Sequence, residues 1–152
     1  MMRWVGIFVF SMLIVSRMEQ ATADDSIPST RQAIQLTLIE QDYLIGEMQR
    51  NLGALGTIIS ALAQDEAQNA EVAAASRGMA SYGDRDPNRP KTLSAKLPPA
   101  WKPMATLLRQ GFDQLAEGIS AHETTAQSLG RVSHLMGVCT GCHATFRFVT
   151  QP

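Results

Sequence analysis

The sequence predicts an all-α fold, an antiparallel four-helix bundle. Four stretches of the sequence are predicted to be helices, two in its first half and two in its second. Each has either helical spacing of apolar residues or a helix-forming composition. A proline-containing connection, residues 80–100, separates the halves. No run shows the two-residue alternation that is typical of a strand. The formal net charge of −1 argues against a nucleic-acid partner and against a basic membrane-binding patch.

Residues 1–23 are predicted to be a cleaved secretory signal. Met1–Arg3 is short and basic, and Trp4–Val15 is almost wholly apolar but short for a membrane span. Ala21–Ala23 has the small-x-small pattern of a cleavage site. An uncleaved membrane anchor is the alternative. The remaining residues, 24–152, are enough for a single domain with one core.

The first helix is predicted over residues 30–63, with Ser29 and Gln32 forming a capping box. Apolar side chains then recur at alternating spacings of four and three residues, except where Gln41 takes the expected place. They are Ile34, Leu38, Ile45, Met48, Leu52, Leu55, Ile59 and Leu62. This spacing predicts a long helix with coiled-coil-like packing along one side.

The second helix is predicted over residues 66–79, which are rich in alanine and end near Gly78. The connection that follows contains several prolines, which forbid a continuous helix. Leu97 and Trp101 are predicted to anchor it in the core.

The third helix is predicted over residues 103–119, and the fourth begins near Ser120, which fits a capping box with Glu123. The buried side of the fourth helix is predicted to carry Leu129, Val132, Met136, Cys139, His143 and Phe146. This fourth helix is the last helix of the predicted bundle.

Five consecutive residues, Cys139–His143, form C-x-x-C-H, the c-type haem attachment signature. The two thiols can add to the two vinyl groups of one haem, and the adjacent imidazole can bind the iron. On a helix, these three side chains project from one face. Haem of this type is attached outside the cytoplasm in bacteria, so the export signal supports it. We therefore expect one covalent haem c on the C-terminal helix of a periplasmic protein.

Other uses of the two cysteines are weaker. A thioredoxin-like dithiol lies near a βαβ pattern, which this sequence lacks. A structural zinc site needs four ligands, and neither His122 nor His134 makes a finger-like spacing with the cysteines. A disulfide between residues three apart on a helix would constrain little.

Three glycines, Gly130, Gly137 and Gly141, fall within the predicted fourth helix. Each costs about 1 kcal/mol relative to alanine. Close approach of a flat macrocycle or of a neighbouring backbone is the expected compensation.

A helical bundle with this motif on its last helix resembles the class II c-type cytochromes, the cytochrome c-prime group and its low-spin relatives. Residues Cys139–Arg147 match C-x-x-C-H-x-x-aromatic-Arg, and Leu97–Trp101 is similar to the stretch before the third helix. The resemblance covers nearly all of residues 24–152. It implies an exported haem protein, often a homodimer through its first two helices, with Arg147 beside the haem near His143. A surface arginine near a helix end is the alternative.

The residue opposite His143 decides the function in this family. If this residue has an apolar side chain, the iron is five-coordinate and binds nitric oxide or carbon monoxide. If it is a methionine, the sulfur binds the iron, which raises the reduction potential of the haem and suits electron transfer. Met48 is predicted to be that ligand, since it lies in the apolar stripe and has a soft thioether. Simple core packing is the alternative. Met104 and Met136 are weaker candidates for the ligand. In the family an Arg-Gln pair often precedes the distal residue, and Arg31–Gln32 lies far upstream of Met48. If this pair sets the register, Gln35 or Leu38 lies opposite the iron.

These residues predict an exported monohaem c-type cytochrome that carries single electrons between redox partner proteins. The alternative is a five-coordinate c-prime-type protein that binds small gases. A haem enzyme such as a peroxidase would need a distal acid–base group, but the predicted first helix has no histidine and only Gln41 as an inward polar side chain. We therefore predict no enzymatic activity, and no membrane association once the signal is cleaved.

Overall fold

The structure is a computed structural model that describes residues 29–81 and 86–151. The predicted signal, residues 1–23, lies outside the described residues. Within the described ranges, no helix is both long enough and apolar enough to cross a membrane.

The described chain is mostly helical, and the prediction of a broadly all-α fold is confirmed. Its elements are β1 Gln32–Leu36, α1 Leu38–Ala63, α2 Ala67–Ala75, a short 3-10 turn Met79–Ser81, α3 Leu93–Lys96, α4 Trp101–Ser120, α5 Thr125–Thr145 and β2 Phe146–Thr150. The long helices occupy the four stretches that the sequence predicted.

The first helix begins at Leu38, later than predicted, because Thr37 and Glu40 form its capping box. The Thr37 hydroxyl accepts a hydrogen bond from the Glu40 amide at 3.3 Å, and the Glu40 carboxylate accepts one from the Thr37 amide at 2.8 Å. The capping box predicted at Ser29 and Gln32 is therefore wrong, since Gln32 lies in β1.

A two-stranded parallel sheet joins the two ends of the described chain. Strands β1 and β2 pair from Gln32 opposite Phe146 to Leu36 opposite Thr150. Ile34 and Leu36 alternate with exposed residues and are buried, which is the two-residue period of a strand. The prediction that both segments continue neighbouring helices is wrong, because each finds its hydrogen-bonding partner far away in the sequence.

The remaining helix ends also differ from the prediction. Helix α2 stops at Ala75 rather than near Gly78, and a side chain on Gly78 would collide with Asp113 of α4. Helix α5 begins at Thr125, where Thr124 and Gln127 form the capping box predicted for Ser120 and Glu123.

Helices α1, α2, α4 and α5 share one hydrophobic core. Phe112 and Leu115 of α4 are fully buried in it against Ile58 of α1 and Leu135 of α5. Burial of such large side chains supplies most of the favourable folding energy.

A second core cluster covers the sheet end of the molecule. Trp101 is buried there, with its ring centroid 5.4 Å from that of Phe146 and 6.0 Å from that of Phe148. Leu97 packs against the same cluster, so both predicted anchors of the connection are confirmed. Met48, Met104 and Cys142 border this cluster, which places the motif beside it.

Candidate functional site

A cavity of about 360 Å³ opens where α1, α4 and α5 face one another. Cys139, Cys142 and His143 line it from α5, while Met48 lines it from α1 and Met104 from α4. The volume lies within the range of about 300–1,000 Å³ that is common for small-molecule and cofactor sites. The predicted haem-attachment residues and the predicted distal methionine thus border one space.

The two cysteines continue the buried stripe of α5. Ser128, Val132 and Leu135 are buried on this helix, and Cys139 and Cys142 follow at helical spacing, half-buried. The predicted stripe differs by about one residue, because Leu129 and Met136 are exposed. His143 was predicted to be buried and is instead exposed, at the side where it borders the cavity.

Both thiols are free, and burial raises the pKa of each. The negative charge of Cys139 adds to this effect at Cys142. Few thiolates therefore form at neutral pH, which disfavours spontaneous disulfide exchange. Within residues 29–81 and 86–151, no three His, Cys, Asp or Glu side chains group to hold a bare metal ion.

Met48 and His143 approach the cavity from different helices. Met48 is half-buried on α1, between Leu44 and Leu52, which also line the cavity one turn away on either side. Helices α1 and α5 contact each other only sparsely, and both contribute side chains to the lining of the cavity. The lining therefore includes one imidazole and one thioether that come from different helices.

The distal candidates other than the methionines do not line the cavity. Gln35 is exposed on β1 and Leu38 is exposed at the start of α1, so the alternative register based on Arg31–Gln32 is wrong. Gln41 donates hydrogen bonds to the Leu36 carbonyl at 3.3 Å and the Thr150 hydroxyl at 3.0 Å, away from the lining residues.

Two more methionines bear on the site. Met104 lies against α5, with its Cε 3.8 Å from the position that a Cβ on Gly141 would take. Met136 is exposed and does not line the cavity. At Gly130 and Gly137, a Cβ would meet no neighbouring group of the described residues within 4 Å, so the expected close backbone approach there is wrong.

Arg147 lies on β2, opposite Ala33 of β1, and not one helical turn beyond His143. Because α5 ends at Thr145, Arg147 does not continue the helix that carries His143. The Nε of Arg147 is buried, with no hydrogen-bond partner among the described residues, and Arg147 does not line the cavity. Arg31 instead reaches the motif, donating to the His143 carbonyl at 3.5 Å.

Sequence reasoning missed a polar end of the cavity, formed by Tyr43, Glu47, Asn51, Arg89 and Arg109. Burial raises the pKa of Glu47, but the hydrogen bond from Arg50 and the charges of Arg77 and Arg109 bring it below its ordinary value. Burial, a hydrogen bond to Asp86 and nearby negative charge raise the pKa of Tyr43 to about 12. The only sequence signal was the four-residue spacing of Glu47 and Asn51, which an exposed helix face also shows.

Comparison with family models, with curated proteins and with solved structures finds no match.

Proposed function

We propose that this chain is an exported monohaem c-type cytochrome that carries single electrons in the bacterial periplasm. One haem c is tethered to Cys139 and Cys142, with His143 and Met48 as the two axial ligands of its iron. The observation that carries the proposal is that all four side chains border one cavity. The shared core of α1, α2, α4 and α5 supports a four-helix bundle of the class II type.

The donor set fits a tethered haem. An imidazole nitrogen and a thioether sulfur are the ligand pair of electron-carrying c-type haems, and the two thiols match the two attachment points. When bound, the haem supplies a one-electron change at iron that needs no proton transfer. The polar lining is concentrated at one end, and Leu44, Leu55, Trp101 and Leu108 form apolar walls.

Each residue has one task. Cys139 and Cys142 would hold the macrocycle on α5, and His143 and Met48 would supply an imidazole and a thioether to its iron. The apolar walls keep water away from it. Filling both faces leaves no open coordination position for a substrate, which is why we propose a carrier with redox partner proteins rather than an enzyme.

A five-coordinate, c-prime-type protein that binds nitric oxide or carbon monoxide is the second candidate. Leu44 and Leu52 line the cavity on either side of Met48. Either leucine would cover the distal face with apolar groups if the Met48 thioether pointed elsewhere.

We also propose a homodimer through α1 and α2. Leu52 and Ile59 of α1 and Val72 of α2 are exposed apolar side chains, which supports an interface on these helices. Sedimentation of the wild type and of Ile59→Glu tests this, with a dimer expected only for the wild type.

The optical spectrum of the oxidised protein tests the axial ligands. We expect the weak near-infrared methionine–iron band in the wild type, its loss in Met48→Leu, and stronger carbon monoxide binding by the reduced variant. Met136→Leu is the matched control on an exposed methionine and should leave the band unchanged. A band that persists in Met48→Leu and disappears in Met104→Leu assigns the ligand to Met104. A wild type without the band that binds carbon monoxide supports the gas-binding candidate.

A further inference from the structure

A network of charged side chains, several of them largely buried, includes part of the polar end of the cavity. Glu47 Oε2 accepts hydrogen bonds from Nη2 of Arg77 at 2.7 Å and from Nη2 of Arg109, and Arg50 binds the other carboxylate oxygen. Asn51 Oδ1 accepts from Arg77 Nε at 2.9 Å and from Arg109 Nη1 at 3.1 Å. The side chains of Glu47 and Arg109 are only 17% and 5% exposed.

This network joins three separate parts of the chain. Glu47 and Asn51 belong to α1, Arg77 follows α2, and Arg109 lies within α4. Arg109 Nη1 also donates to the backbone carbonyl of Arg77 at 3.0 Å, so Arg109 is bonded to the segment after α2 as well as to α1. The contacts fix the distance of α1 from α4 on the two sides of the cavity.

Buried ion pairs seldom add much net stability, because removing the charges from water costs about as much as their attraction returns. Net stability therefore does not explain why several ion pairs meet at Glu47. The orientation of the neighbouring side chains on α1 is a better explanation. On an α-helix, Met48 follows Glu47 by about 100° of rotation, and both side chains reach the same cavity. A methionine side chain has three rotatable bonds, so its sulfur is directed only if the backbone beneath it is fixed.

We propose that Glu47 is a positioning residue: its bonds to Arg77 and Arg109, together with those of Asn51, lock the rotation of α1 that directs the Met48 sulfur into the cavity. This inference rests on the proposed axial role of Met48. The network decides how firmly Met48 occupies the iron's second axial position. It therefore also decides between electron transfer, which needs this position filled, and gas binding, which needs it open.

The experiment compares Glu47→Ala and Glu47→Gln with Glu40→Ala in the haem-loaded protein. Glu40 is a matched control, since it is a buried carboxylate on α1 that does not line the cavity. We expect Glu47→Ala to lose the methionine–iron band and to bind carbon monoxide more tightly. Glu47→Gln, which keeps an acceptor oxygen, should retain part of the band. Glu40→Ala should lower the unfolding temperature and keep the band.

The outcomes separate the two proposals. A wild-type band that Glu47→Ala leaves unchanged overturns the positioning role alone. A wild type without the band overturns the axial role of Met48 and, with it, this inference. If Glu47→Ala does not fold, Asn51→Ala removes only the second acceptor of the network. Weakening of the band in Asn51→Ala supports the positioning role, and an unchanged band refutes it.

Discussion

Replacing Glu40 by alanine should destabilise the protein strongly, although Glu40 lies away from the cavity. Glu40 is 1% exposed, and its carboxylate accepts hydrogen bonds from the Lys96 ammonium at 2.7 Å, the Thr92 hydroxyl at 2.7 Å and the Thr37 amide at 2.8 Å. Removing one partner of a buried ion pair costs about 3–5 kcal/mol. Lys96 is partly exposed and also bonds Gln151, so we expect the lower end, about 3 kcal/mol.

The same contacts predict a pH dependence. Burial raises the pKa of Glu40, but the hydrogen bonds from Lys96, Thr37 and Thr92 outweigh it and lower the pKa from 4.5 to about 2. Because the folded value lies below the unfolded one, this stabilisation is complete above about pH 4.5 and is lost as the pH falls towards 2. Glu40→Gln should remove this part of the acid sensitivity.

Urea denaturation at neutral and acidic pH measures both effects. Glu123→Ala is the control, because Glu123 pairs with Arg131 at a more exposed position. We expect a much larger loss of unfolding free energy for Glu40→Ala than for Glu123→Ala, and a smaller difference between Glu40→Ala and the wild type at low pH. Equal losses for the two variants would refute the argument that Glu40 is a buried anchor.

Other substitutions test the packing by the same denaturation measurement. Phe112→Ala removes a fully buried ring and should cost about 3–5 kcal/mol; a cost below about 1 kcal/mol would contradict its place in the core. Gly111→Ala puts a Cβ 2.6 Å from Leu135 Cδ2 and should destabilise by about 1–3 kcal/mol. Gly137→Ala meets no described neighbour within 4 Å and should instead stabilise α5 by about 1 kcal/mol, and the opposite order of the two glycine variants would contradict this account.

The sequence predicted the long helices because their signals are local. Apolar spacing marked α1 and α4, and alanine content marked α2. The strands were missed because each is stabilised by the other. Ile34 and Leu36 alone are compatible with either a helix or a short strand, and only pairing with Phe148 and Thr150 favours the strand.

The buried face of α1 was misjudged for a different reason. Glu40 and Asn51 are buried because distant cations and hydroxyls satisfy them, which hydrophobic spacing cannot reveal. Ile45 and Leu52, which fit the apolar stripe, are consequently exposed. The apolar stripe still predicted correctly that Met48 faces the interior, because the stripe covers a wide part of the helix surface.

The sequence predicted the part of the candidate site whose residues must lie at fixed spacings along the chain. The thiols and imidazole of Cys139–His143 need their order in the chain, so the sequence displays them directly. Glu47 and Arg109 come from different helices and meet only in the folded structure. No spacing rule links them, and the polar end of the cavity therefore required the structure.

The intact mass and absorption spectrum of the exported, purified protein test the central claim most directly. We predict a coloured protein whose mass exceeds that of the mature polypeptide by one haem, with neither cysteine available to a thiol reagent. The double variant Cys139→Ala, Cys142→Ala should lack the added mass. A colourless wild-type protein with two reactive thiols and no added mass would contradict the account.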